Sequence, residues 1–434
     1  MQATAILLAA GLGTRMKSAL PKALHPIGGR PMLRHLLESC AAVFDRAVVV
    51  AGPDMALEPV AHPHPVVVQQ DRLGTAHAAL QAAPLFGDGD VAVLYADNPL
   101  IRPATLQRLR AARAEAGLVL LAMRPVDPGR YGRVVTTGGN VDRIVEWADA
   151  TEAERAIGLC NAGVLCAAGP DLHRWLQAVR ADNAKGEFYL TDVVALARAE
   201  GVRVAAVEAP EAELRGVNSR AELAAAEATF QSFLREEAMA AGVTMTAPET
   251  VFLSADTKIA ADVTVEPNVV FGWGVTVDSG ARIRAFSHLE GCSVGPGAII
   301  GPYARLRPGT TVGAGAHVGN FVELKAATLG EGAKANHLSY IGDASVGAHT
   351  NIGAGTITVN YDGFGKYRTE IGARAFIGSN SSLIAPVSIG DGALVVAGST
   401  ITDDVPGDAM AFGRARQETK PGRAAAFRAK REKI

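Results

Sequence analysis

Val294-Gly295-Pro296-Gly297-Ala298-Ile299-Ile300-Gly301-Pro302-Tyr303-Ala304-Arg305-Leu306-Arg307-Pro308-Gly309-Thr310-Thr311-Val312-Gly313 places an aliphatic residue at every sixth position. The series continues through Val318 and Leu324, and a second runs Ile371, Ile377, Leu383, Ile389, Val395, Ile401. A period of six matches neither the helical period nor strand alternation. It predicts a parallel β-helix, in which each short flat face sends one side chain inward. Glycine follows most of these residues (Gly295, Gly301, Gly313, Gly319, Gly372, Gly378, Gly390), as sharply turning corners favour. Two exceptions are cations, Arg307 after Leu306 and Lys325 after Leu324. Three faces of six residues make a coil of about eighteen, so the spacing predicts these two stacked one coil apart as an anion clamp. The next break in the glycine rule, Ala335–Tyr340, puts His337 above Lys325 on the same stack, where an imidazole suits proton removal near neutral pH. Glu323 shares a strand face with Lys325 and is expected to orient the histidine or the group it deprotonates. Rival readings stand beside these: corner cations ordinarily project into water, and His288, His317 and His349 offer the same chemistry.

The chain has 434 residues, enough for two or three domains. A charged fraction of 20% and a hydrophobic fraction of 48% exclude a disordered chain. The net charge of −2 excludes a globally basic nucleic-acid binder. Cys40, Cys160, Cys166 and Cys292 form no C-x-x-C pair, so neither a zinc site nor a disulfide framework is indicated. The apolar run Ala3 to Ala10 lacks a preceding cationic segment and leads into Gly11-Leu12-Gly13, which predicts a buried strand rather than a signal peptide. No apolar run approaches membrane-spanning length. A cytoplasmic protein without nucleic-acid or membrane partners is expected.

The first half alternates short apolar strands (4–9, 47–51, 66–69, 91–95, 118–123) with Ala- and Leu-rich helical patterns (32–42, 75–82). This predicts a doubly wound, Rossmann-like α/β domain over residues 1–218, whose ligands sit at the carboxyl ends of strands. Ser219 with Glu222 makes a capping box, opening a linker helix over 219–242 that ends at Gly242. At 1.5 Å per residue its length of about 34 Å suits a strut between domains. The hexapeptide domain and a basic tail (Arg414, Arg416, Lys420, Arg423, Arg428, Lys430, Arg431, Lys433) occupy 243–434.

Leu8-Ala9-Ala10-Gly11-Leu12-Gly13-Thr14-Arg15-Met16 follows the first strand, with Pro21-Lys22 shortly after. Such a loop lets backbone N–H groups approach phosphate, helped by the positive end of the following helix. It is neither a Walker A loop nor a full G-x-G-x-x-G, and Arg15 and Lys22 supply the charge neutralisation. Asp97 ends the strand at 91–95, where a metal ligand is expected; magnesium needs few carboxylates when phosphates supply the rest.

The glycine loop with its Pro-Lys resembles the signature of sugar-1-phosphate nucleotidyltransferases. With the hexapeptide half added, nearly the whole chain resembles the bacterial bifunctional N-acetylglucosamine-1-phosphate uridylyltransferase and glucosamine-1-phosphate acetyltransferase family. That resemblance implies a left-handed β-helix, a homotrimer and a role in UDP-N-acetylglucosamine supply for cell-wall biogenesis. It implies acetyl transfer from acetyl-CoA to glucosamine-1-phosphate, then uridylyl transfer from UTP to N-acetylglucosamine-1-phosphate with Mg²⁺. For the uridylyl site it implies Leu8, Ala9, Ala10, Gly11, Arg15 and Lys22 at the phosphates. Gln69, Gly74 and Thr75 fall at the uracil; Tyr95 and Ala96 precede the metal pair Asp97 and Asn218; Gly132, Glu146 and Asn161 fall at the amino sugar. Ala96 stands where the family usually has glycine. For the acetyl site it implies His337 as general base and Arg307, Lys325, Tyr340 and Asn351 on the sugar phosphate. Ala354, Asn360, Tyr361, Ser379, Ala397 and Arg414 fall at acetyl-CoA. Two other classes remain open: a nucleotidyltransferase whose β-helix only assembles subunits, and a non-catalytic regulatory subunit.

Overall fold

The computed structural model describes residues 2–432, so Lys433 lies outside the described residues. The chain divides into two compact units, Met1–Phe233 and Leu234–Ile434.

The first unit is built on a mixed sheet. Across it run Val204–Glu208, Leu118–Met123, Cys160–Ala168, Asp90–Tyr95, Thr4–Leu8, Arg46–Ala51 and Val66–Val68. All these neighbours are parallel except Cys160–Ala168, which is antiparallel to both strands beside it. The central strands are wholly buried, as their unbroken apolar runs require. Helices Met32–Ala41 and Thr75–Gln81 pack on the sheet. A hairpin, Arg133–Thr137 with Asn140–Val145, leans on the edge of Cys160–Ala168.

The expected helix after the glycine loop is absent. Thr14–Met16 is one 3-10 turn, stopped by Lys17 in the left-handed region (φ 48°), and the first α-helix begins only at Met32. The loop therefore lacks the helix dipole expected of it, which needs several aligned turns. The long helix runs Arg220–Ala240. Ser219 Oγ accepts from the Glu222 N–H at 3.2 Å, but Glu222 Oε2 reaches past Ser219 to the N–H of Asn218 at 2.6 Å. Half of the capping box forms; the other half is spent on fixing Asn218.

In the second unit, strands of two to seven residues stack in parallel into a ten-stranded and a fourteen-stranded sheet. The hexad residues fill the interior: Leu306, Val318, Leu324, Ile377, Leu383 and Val395 are fully buried. Coils are not uniformly eighteen residues. Ile299 pairs with His317, eighteen on, but His317 pairs with Lys334, seventeen on. One coil swells to twenty-five, Asn351 to Phe376, where residues 360–368 leave the wall. Glu323–Leu329 and Tyr340–Val346 are long because they turn a corner, joining two faces into the larger sheet.

Candidate functional site

In the first unit, fourteen of the expected residues (Leu8, Ala9, Ala10, Gly11, Arg15, Lys22, Gln69, Gly74, Thr75, Tyr95, Ala96, Asp97, Glu146, Asn218) line one cavity of about 540 Å³ at the carboxyl ends of the strands. Gly132 and Asn161 stand behind it. The Asn161 N–H donates to the Gly132 carbonyl at 2.8 Å, and Gly132 lies against the Glu146 side chain. Arg72, Lys185, Glu187 and Tyr189 also line the cavity. Sequence reading passed over Arg72, yet its Nε donates to the Ala10 carbonyl at 2.9 Å and ties the glycine loop to the opposite wall.

Gln69 is buried, with Nε2 donating to the Gly74 carbonyl at 3.0 Å. Gly74 has φ 123°, and a Cβ there would lie 2.5 Å from the Phe188 carbonyl oxygen. Only glycine lets the 73–75 turn press against Phe188. Burial pushes the Glu146 carboxyl above its usual range, opposed by a hydrogen bond from Thr191 Oγ1 at 3.3 Å.

Lys22 Nζ donates both to Asp97 Oδ2 and, at 3.0 Å, to Asn218 Oδ1. Two hard oxygens thus converge on one cationic point. They fit Mg²⁺, which takes few protein oxygens and completes its shell with phosphate and water. Residues 97 and 218 are brought together by the backbone: the Val217 N–H donates to the Asp97 carbonyl at 2.8 Å.

In the second unit the expected stack is corrected. His337 lies twelve residues (337 − 325) beyond Lys325, which is two hexads and not three. The coil neighbour of Lys325 is Gly342, and that of His337 is Asn320. Lys325 and His337 therefore stand at opposite edges of one face. Tyr340 lies between them, its hydroxyl folded over Gly342.

Around the Lys325 edge each clamp cation has a carboxylate. Arg307 bonds Glu323 at 3.0 Å, and Lys325 bonds Asp343 at 3.2 Å. Glu323 thus pairs with Arg307, and with Arg305 at 3.7 Å, rather than with His337. Asp343 also accepts from Asn360 Nδ2. Burial alone would raise the Asp343 carboxyl, but the hydrogen bonds from Asn360 and Lys325 and the charges of Lys325 and Lys366 hold it below the usual carboxylate range.

At the other edge, His337 Nδ1 meets Asn320 Oδ1 at 2.7 Å. An amide oxygen only accepts, so Nδ1 carries the proton and Nε2 is left as the basic nitrogen. Above His337 the corner continues coil by coil: Gly355 N–H to the His337 carbonyl (3.3 Å), Asn380 N–H to Ala354 (2.7 Å) and Gly398 N–H to Ser379 (2.8 Å). Ala354, Ser379 and Ala397 thus form one column, with the Arg414 side chain beside Gly398. Asn351 sits on the adjoining face beside Lys334. Tyr361 is exposed in the projecting loop, its hydroxyl donating to the Gly363 carbonyl at 2.7 Å.

Residues 5–187 match the MobA-like NTP transferase domain. Residues 291–326 match the bacterial transferase hexapeptide (six repeats), and 368–403 the hexapeptide repeat of succinyl-transferase. These matches put the second unit in the left-handed, hexapeptide-repeat class of parallel β-helix. The chain is 65% identical over 431 residues to the bifunctional protein GlmU of Acidiphilium cryptum, covering 99% of each chain. It is 69% identical to that of Gluconacetobacter diazotrophicus, covering 98% of this chain and 94% of the relative. It is 65% identical to that of Granulibacter bethesdensis, covering 98% and 96%. With a nucleotidyltransferase unit, a hexapeptide unit and relatives matched end to end, the chain belongs to the bifunctional GlmU family.

Proposed function

We propose that the chain makes UDP-N-acetylglucosamine by two transfers at two separate sites. Supporting this, each unit holds its own chemically complete set of side chains: the Lys22–Asp97–Asn218 convergence in one, and His337 on Asn320 at the foot of an open column in the other.

In acetyl transfer the amine of glucosamine-1-phosphate attacks the thioester carbonyl of acetyl-CoA. A C–N bond forms, the C–S bond breaks, and the amine proton passes to His337 Nε2 while the CoA thiolate leaves. Arg307 and Lys325 hold the sugar phosphate, with Tyr340 and Asn351 on the sugar. The coenzyme follows the column Ala354, Ser379 and Ala397 toward Arg414, flanked by Asn360 and Tyr361. In uridylyl transfer a phosphate oxygen of N-acetylglucosamine-1-phosphate attacks the α-phosphorus of UTP, and pyrophosphate leaves. Arg15 and Lys22 neutralise phosphate charge; Gln69, Gly74 and Thr75 hold the base; Glu146, Gly132 and Asn161 form the sugar wall. Asp97 and Asn218 would hold Mg²⁺, which when bound would supply charge neutralisation for the transferring phosphoryl group.

The same reading includes a homotrimer and a cytoplasmic location. Phe286, Tyr303 and Phe321 stack at 4.9 and 5.3 Å between rings, with Leu338 next along the corner. Their exposures of 51%, 47%, 57% and 62% leave an apolar edge that another chain would cover. Among the described residues no helix is long and apolar enough to cross a membrane. Equilibrium sedimentation of the full chain is expected to give a three-chain mass, and a monomer would remove the trimer.

The deciding assay mixes purified chain with glucosamine-1-phosphate, acetyl-CoA, UTP and Mg²⁺, following thiol and pyrophosphate release separately. Asp97→Asn is expected to abolish pyrophosphate release from supplied N-acetylglucosamine-1-phosphate while thiol release continues; His337→Ala should do the reverse. Loss of both activities in either variant would defeat the two-site reading.

A further inference from the structure

We propose that Lys22 is a place-holding cation. Its ammonium sits between Asp97 Oδ2 and Asn218 Oδ1, the point a divalent ion must take, so the metal enters with the nucleotide and turns Lys22 toward the phosphates. The inference rests on Asp97 and Asn218 being the metal ligands.

Three features fix this arrangement. First, the stem of Lys22 is seated by the glycine loop: Gly13 has φ 62°, and a Cβ there would lie 2.7 Å from Lys22 Cβ. A side chain at position 13 would push the lysine off its seat. Second, the Lys22 backbone is held in a short turn after Pro21, with the Leu24 N–H on the Pro21 carbonyl at 2.9 Å. Third, the backbones that carry both oxygens are anchored, Asn218 through its N–H donating to Glu222 and Asp97 through its carbonyl accepting from Val217. The Lys22 and Asp97 side chains are each only 17% exposed, so water screens their contact weakly.

An ammonium and a divalent cation cannot share these oxygens, since each repels the other at contact distance. In the nucleotide-free site the metal must therefore displace a resident partner that already bonds both oxygens. A bound triphosphate removes that obstacle, because a flexible lysine with three donors can swing to phosphate oxygens. The metal and nucleotide thus bind cooperatively, although Asp97 and Asn218 are already assembled.

Two measurements on the full chain test this. Electron paramagnetic resonance with Mn²⁺ and no nucleotide should find Lys22→Met binding the ion at least tenfold more tightly than wild type. Equal or weaker binding by Lys22→Met overturns the place-holder. Calorimetry then compares Mn²⁺–UTP with UTP in excess chelator. Wild type should prefer the metal complex, and Asp97→Asn should erase that preference. Should the preference survive in Asp97→Asn, the ligand assignment itself is wrong. Should it vanish while Lys22→Met fails to tighten Mn²⁺ binding, the ligands stand and only the place-holder falls. Thermal melts in which both variants keep the wild-type transition of the first unit certify that the mutated unit folds.

Discussion

Replacing Gly319 by alanine should silence one activity by moving a backbone. Gly319 is buried beneath the next coil of the β-helix, and an added Cβ would lie 2.0 Å from the Asn336 carbonyl oxygen and 2.6 Å from its carbon. Real Cβ atoms essentially never come within 3.0 Å of such neighbours. The two coils must therefore part locally by roughly 1 Å (3.0 − 2.0), against strands that pack about 4.8 Å apart. Neither atom is the end of a flexible side chain, so the strain stays in the backbone. His337 follows Asn336 and Asn320 follows Gly319, so both ends of the 2.7 Å Asn320–His337 bond ride on the displaced segments. Overpacking of this kind costs about 1–3 kcal/mol, which the long core tolerates. A 1 Å misplacement of a reacting group costs about a hundredfold in rate.

Gly319→Ala should thus lower the melting temperature modestly, cut thiol release about a hundredfold and leave pyrophosphate release within about twofold of wild type. Gly295→Ala is the control. Its Cβ would sit 3.0 Å from Val312, Gly313 and Ala314 backbone atoms, far along the stack from His337, so it should cost stability alone. If Gly319→Ala acetylates within about threefold of wild type, the coupling of backbone register to the histidine is wrong. Equal loss in Gly295→Ala would show that any coil disturbance suffices.

Glu146→Gln should raise the melting temperature at neutral pH while raising KM for N-acetylglucosamine-1-phosphate. Burial raises this carboxyl, so the folded chain binds its proton more tightly than the unfolded chain, and stability falls as pH rises through the raised value. The gain in Glu146→Gln should therefore vanish below the unfolded carboxyl pKa, which thermal melts across acid pH will check. Asp343→Asn should leave Lys325 and Asn360 without their shared anchor, raising KM for both acetyl-transfer substrates about fivefold, with pyrophosphate release unaffected. Arg72→Ala should raise KM for UTP about tenfold by freeing the glycine loop at Ala10, with kcat for acetyl transfer unchanged.

What the sequence made legible follows the range of the physics. A hexad core residue answers only to its own face, so Val294, Leu306 and Leu324 announce the solenoid without help from distant residues. The phase of the outward residues is another matter, because it accumulates coil length. A coil of seventeen in place of eighteen shifts each later partner by one residue. His317 therefore meets Lys334 and not Ala335, and His337 meets Asn320 and not Gly319; Lys325, two faces of a three-face coil away, is a partner at neither length. Asp343 escaped for a different reason: a lone aspartate beside Gly342, the residue stacked on Lys325, carries no period of its own, and only the folded coil shows it reaching Lys325. In the first unit, buried β-branched runs gave up the parallel strands, while Cys160–Ala168 hid in a Cys-, Ala- and Gly-containing run. Its antiparallel insertion is what carries Asn161 to Gly132, behind Glu146. The Asp97–Asn218 pair is the extreme case. Nothing in the spacing of Asp97 and Asn218 links them; the Val217–Asp97 backbone bond and the reach of Glu222 do. A family pattern can mark such residues, but only the fold explains why Lys22 ends on the same two oxygens. That shared contact is the long-range fact on which the proposed order of cation exchange at this site stands.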